Sequence, residues 1–133
     1  MKFLQPPNWA RPRGYANGVA AKGAMVFLSG IVGWTAQGEF VSGEFVGQVR
    51  QALQNIVTIL REANARPEHI ARMTWYVLDR NEYLASAKEI GVVYREIIGK
   101  HYPAMSVIEV SGLVEPLARV EIEVTAVVPD EKI

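Results

Sequence analysis

Near the end of the chain, an arginine and two carboxylates alternate with apolar residues: Arg119, Glu121 and Glu123 interleave with Val120, Ile122, Val124 and Ala126. Side chains change sides at each step of a strand, so the charged set shares one face and the apolar set the other. A carboxylate face of this kind is either solvated or looks into a polar cleft. In a cleft, a carboxylate on that face can do the work of a general acid or base. Tyr15 stands at a candidate strand start, where a tyrosine packs partly buried. Ser106 can donate a hydrogen bond, but no histidine neighbours it in sequence, so a serine nucleophile lacks its base. Trp34, in a loop punctuated by glycines, can rim a cleft. Trp75, inside an apolar run, reads as core or interface packing.

These residues need elements to hold them. Residues 1–14 read as an extended arm rich in Pro, Asn, Arg and Gly. Candidate strands follow at Tyr15–Ala20 and Met25–Ser29, then a loop over Gly33–Gly43. Glu44–Ala63 is predicted helical, with Val46, Val49, Leu53, Ile56, Val57 and Leu60 in one stripe and Gln48, Gln51, Asn55 and Thr58 opposite. Pro67–Ile70 is a short turn and Arg72–Leu78 a strand. Asp79 can cap a second helix from Glu82 to about Gly99. Its stripe is Leu84, Ala87, Gly91, Tyr94 and Ile98. Gly91 in that face suggests close approach to the sheet. Strands at Pro103–Val110 and Ala118–Ala126 close the domain, and 129–133 is a polar tail. The order predicts one α+β domain over 1–133, with a mixed sheet of five or six strands and two helices on one face.

The sheet itself raises a question of partners. Met25–Leu28 is wholly apolar and Met73–Leu78 nearly so. A strand apolar on both faces is buried on both, yet two helices can cover only one. A second copy of the chain is the simplest cover; a lid made from the arm and the 31–43 loop is the alternative.

Composition narrows the chemistry. The chain has 133 residues, zero formal net charge and no cysteine. Zero charge argues against a nucleic-acid binder working through a basic surface. Without cysteine there is no disulfide, thiolate catalysis or Cys-type zinc site. His69 and His101 lie far apart, neither with a second ligand at metal spacing, so no metal is expected. No apolar run approaches a membrane span or a signal core, and the expected location is cytoplasmic.

Taken together, Gly14-Tyr15, Leu28-Ser29-Gly30, the long helix, the apolar strand and Pro103-Ala104-Met105-Ser106, followed by Val120-Glu121-Ile122-Glu123-Val124-Thr125-Ala126, resemble the RidA/YjgF family. Its members are called enamine/imine deaminases or liver perchloric-acid-soluble proteins. The resemblance runs over about residues 14–128. It implies a chorismate-mutase-like fold of the bacillus type and a homotrimer around a central barrel, with clefts between subunits. It also implies hydrolysis of reactive enamines and imines to a keto acid and ammonia, with no cofactor. Such hydrolysis needs a held substrate, a delivered proton and a placed water. By resemblance, Glu121 and Tyr15 are the catalytic candidates, and Ser29 and Gly30 form the cleft wall. The arginine that clamps the substrate carboxylate in the archetype falls on Met105, and a thioether cannot pair with a carboxylate. An asparagine of the archetype falls on Gly91. Arg119 or Arg13 can replace the clamp if either reaches the cleft; otherwise Arg119 pairs with Glu121 or Glu123, or is solvated. The expected function is therefore a hydrolytic deaminase of small imines, enamines or related nitrogen metabolites. The alternative is a trimer that binds a metabolite without turnover. An endoribonuclease or translation-inhibitor role is the third, and zero net charge weighs against it.

Overall fold

Alternating apolar residues build a mixed sheet of five strands, and two long helices cover one face of it. The computed structural model describes residues 1–130, so the expected polar tail at 129–133 lies partly outside the described residues. Strand β1 (Lys2–Phe3) pairs with β2 (Val19–Ala20) as a small separate ribbon. The main sheet contains β3 (Ala24–Phe27), β4 (Ile31–Val32), β5 (Ile70–Val77), β6 (Ala104–Glu109) and β7 (Val120–Val128). Its order is β3-β7-β5-β6, with β4 also on β7. Among the described strands, β5–β6 is the parallel pair and the others are antiparallel. Parallel neighbours need a crossover connection, supplied here by α2 (Arg80–Ala85) and α3 (Ala87–Ile97). Helix α1 (Phe45–Glu62) packs beside α3 on the same layer. Among the described residues, no helix is long and apolar enough to cross a membrane.

The core lies between sheet and helices. Val49, Leu53, Ile56 and Leu60 of α1 meet Met73, Trp75, Val120, Ile122 and Val124, all essentially inaccessible to solvent. The α1 stripe is thus as the spacing predicts, with one correction. Gln48, expected on the outer face, is fully buried. Its amide donates to the Ser42 and Leu117 carbonyls at 3.1 and 2.9 Å, and its oxygen accepts from the Arg119 N–H at 2.7 Å. One side chain therefore ties the loop before α1 to the entry of β7. A buried polar group survives only when hydrogen-bonded. Replacing Gln48 by leucine should leave Arg119 N–H and the two carbonyls short of partners. The expected cost is about 2 kcal/mol, a fall in melting temperature of about 5–10 °C. An unchanged melting curve would show that these bonds contribute nothing net.

Three further expectations need correcting. The strand predicted over Tyr15–Ala20 is confined to Val19–Ala20; Ala16 makes a single parallel bridge with Ala104. The arm is not simply extended, because its Lys2 and Phe3 pair antiparallel with Ala20 and Val19. The second helix is broken. Asp79 does cap it, accepting from the N–H groups of Asn81 and Glu82, but Ser86 leaves helical geometry at ψ 5° and splits it into α2 and α3. The break resets the helical phase, so Leu84 faces solvent at 64% exposure while Ile90, Val93 and Tyr94 turn inward.

Among the described residues, no helix covers the second face of the sheet. Met25 and Phe27 of β3 are exposed at 59% and 70%. The row Glu123, Thr74 and Ser106 and the row Glu121, Tyr76 and Ile108 cross this face in register.

Candidate functional site

Register decides which candidate residues can meet. Residues paired across a sheet share a face. Met105 lies in the row of Met73 and Val124, on the helix side. Glu121 lies in the row of Tyr76 and Ile108, on the open side. The two sit on opposite faces of one sheet, with β5 between their strands. Ser106 goes with the open face too, so it does not join Met105 as its neighbouring position suggested. Strand alternation in the sequence already carried that signal.

The Met105 side holds a cavity of about 590 Å³ at the β6 edge, between the sheet and the α2–α3 crossover. Trp75, Met105 and Val107 form its sheet wall. Tyr83, Tyr94 and Gly91 form its helix wall. Arg13, Gly14 and Tyr15 line it from the segment that runs beside β6, held there by the Ala16 N–H to the Pro103 carbonyl at 2.9 Å. Tyr15 and Met105, far apart in sequence, therefore share one site. Arg95 lines it as well.

The cavity is aromatic and fixed. Tyr94 stacks on Tyr102 with ring centroids 5.4 Å apart and 14° between planes. Its hydroxyl donates to the His101 carbonyl at 2.5 Å. Burial, and then the neighbouring Tyr102, raise the Tyr94 phenol far above its usual range; burial alone raises Tyr83. Both stay neutral wherever the protein is folded at ordinary pH. Trp75 is 2% exposed, and its indole N–H has no hydrogen-bond partner among the described residues.

The open face carries the other group. Phe27 faces Thr125 while Ile31 faces Ile122, so four steps along β3–β4 match three along β7. This extra residue is a β-bulge, a feature that re-aims side chains. It falls at Leu28, Ser29 and Gly30. A Cβ on Gly30 would stand 2.5 Å from the Glu121 Cδ, so the bare glycine leaves the space that the carboxylate occupies. Ser29 and Gly30 are exposed and Glu121 is half-buried.

Two candidates lie in neither group. Arg119 pairs with Glu82 of α2, through Nε to Oε1 at 3.1 Å and Nη2 to Oε2 at 2.5 Å. It forms this fork rather than the expected pair with Glu121 or Glu123, and it does not line the Met105 cavity. Trp34 packs on Phe40, 5.9 Å between centroids, and its carbonyl accepts from Asn55 at 2.8 Å. It braces the 31–43 loop. Sequence reasoning missed Arg95, Tyr83 and Tyr102. Arg95 was findable: it stands four residues after Gly91, on the same helix face.

Known proteins resemble this chain along nearly its whole length. The family model described as Endoribonuclease L-PSP matches residues 9–128. A RutC family protein of Pyrococcus horikoshii is 31% identical over 120 residues, 90% of this chain and 91% of its own length. A goat protein named 2-iminobutanoate/2-iminopropanoate deaminase is 32% identical over 103 residues, 77% of this chain and 72% of its own. The crystal structure of YyfB, a Rid-family protein of unknown function from Yersinia pestis, superposes with a TM-score of 0.82 at 29% identity, covering 96% of this chain and 98% of that one. The mixed sheet with its helices on one face is the chorismate-mutase-like fold of these proteins. With the fold and the match over 9–128 in agreement, the chain belongs to the Endoribonuclease L-PSP family, known also as RidA/YjgF/UK114.

Proposed function

We propose that copies of this chain assemble, as a homotrimer, so that the Tyr15–Met105 cavity side of one copy meets the Ser29–Gly30–Glu121 group of the next. The cleft between them hydrolyses a small imine or enamine. The observation that carries this is the opposed placement of Met105 and Glu121: a site using both needs a second copy. The uncovered Met25 and Phe27 supply apolar surface for that contact. The name of the goat relative supports the reaction class.

The chemistry asks little of the protein. Glu121 takes a proton from water as the oxygen adds to the C=N carbon and returns it to the nitrogen, giving the neutral carbinolamine. Glu121 then carries the hydroxyl proton to the nitrogen, the C–N bond breaks, and ammonia leaves as the ketone C=O forms. Tyr15 orients the substrate or the water. One imine and one water give one carbonyl compound and one ammonia.

A second reading is favoured by Met105. With no cation at that position the anchor of the archetypal substrate is lost, and positioning in the transition state goes with it. The trimer then binds a metabolite without turnover. The third reading, a ribonuclease, is opposed by the zero net charge.

Ammonia release from enzymatically generated 2-iminobutyrate or 2-aminoacrylate separates the first two. Turnover by the native chain is the expected result. The Met105→Arg variant should raise it by about tenfold or more, since a charge-assisted pair to the carboxylate is restored. If neither protein releases ammonia while both remain assembled, the deaminase reading falls and the binding reading stands.

A further inference from the structure

We infer that the cavity takes a planar aromatic carboxylate, with its anion held by Arg13 and Arg95 and its ring lying against Met105 and the tyrosines. The inference rests on the Tyr15–Met105 side of the proposed cleft and deepens that reading by naming the ligand class.

Size comes first. About 590 Å³ is in the range of sites for drug-sized ligands. A four-carbon imino acid would occupy a small part of it; a phenyl or indolyl acid would occupy more and still leave room for the contribution of the next copy. Gly91 contributes to the room: α3 presents no side chain there, and the Nη1 of Arg95 lies 3.4 Å from where a Cβ would be.

The walls favour a ring. Trp75 and Tyr83 meet edge to face, 6.3 Å apart at 74°. Tyr94 is held by its bond to His101 and stacked on Tyr102. Trp75 and Tyr94 are buried and hold the partly exposed Tyr83 and Tyr102 in place, so these two rings can meet a planar guest without further ordering. Met105 now has a positive role. A thioether cannot bind a carboxylate, but it makes favourable contacts with aromatic rings. The side chain that removes the archetypal clamp also makes its position suitable for a ring.

Charge decides the anion. Arg13 and Arg95 both line the cavity, and no carboxylate residue does. Among the described residues neither arginine has an ion-pair partner; the three pairs present belong to Arg50, Arg66 and Arg119. The tyrosines, kept neutral by burial, add no competing anion. Arg119, the other candidate replacement for the clamp, is occupied by Glu82.

The test is calorimetric titration of the full chain with 3-phenylpropanoate, its neutral amide and 2-oxobutyrate. The aromatic acid should bind about tenfold or more tightly than either of the others. Arg13→Gln and Arg95→Gln should each weaken it by about tenfold, as expected for loss of a charge-assisted hydrogen bond, and leave binding of the amide unchanged. Both arginines are exposed, so the variants should keep the native melting curve. Equal affinity for acid and amide, tighter binding of 2-oxobutyrate, or full affinity in both arginine variants would overturn the inference. Ammonia release is measured separately, so the deaminase reading can fail while this one holds, and the reverse.

Discussion

Glu121→Gln should cut ammonia release from 2-iminobutyrate by about 10²–10⁴-fold, the usual contribution of a general acid or base. The amide keeps the shape of the carboxylate but cannot take a proton from water. The Glu121 carboxylate makes no hydrogen bond among the described residues, so the exchange breaks no internal bond and the melting curve should stay put. Gly30→Ala gives an independent handle. Its methyl would collide with the Glu121 carboxylate, the far end of a flexible side chain. The carboxylate moves and the backbone does not, so activity should drop while stability holds. Undiminished turnover in Glu121→Gln would remove Glu121 from the chemistry. A loss accompanied by unfolding or by dissociation of the assembly would assign it a structural role instead.

Trp75→Ala should cost about 3–5 kcal/mol of stability, as large aromatic truncations in a core do. Trp75 is 2% exposed and is the largest of the fully buried side chains. It sits at the centre of β5, between Ile122 and Val107 in register, and also forms a wall of the cavity. Truncation merges the space it leaves with that cavity, so the surroundings have little to collapse onto. Trp75→Phe should cost much less. It retains most of the ring contact with Tyr83 and removes a buried N–H that no protein group accepts. Denaturant midpoints for the two variants are the measurement, with unchanged m-values showing that the same surface unfolds. A loss below about 1 kcal/mol for Trp75→Ala would mean that Trp75 does not carry the core.

Much of the architecture was legible because its signals are local. The α1 stripe follows the 3.6-residue period, and the alternation of β7 places Val120, Ile122 and Val124 inside. Asp79 was identifiable as a cap because a carboxylate before a helix accepts from the first free N–H groups. The errors had physical causes. Gln48 looked like a surface residue because polarity was read without its partners, which lie 69 and 71 positions away at Leu117 and Arg119. The break at Ser86 lacks a glycine or proline to announce it, and it shifted the phase of everything after it.

By itself, the sequence determined the family and most of the element types, since periodicity, caps and motif order are properties of neighbouring residues. It also determined that Met105 cannot clamp an anion, because that follows from the side chain alone. Tertiary structure decided which groups share a site. Strand register sent Met105 and Glu121 to opposite faces, the crossover brought Arg95 and the tyrosines over Met105, and the Ala16–Ala104 bridge carried Arg13 and Tyr15 to the same cavity. Glu82 took Arg119 out of consideration. These are pairings between residues distant in the chain, and no local spacing encodes them.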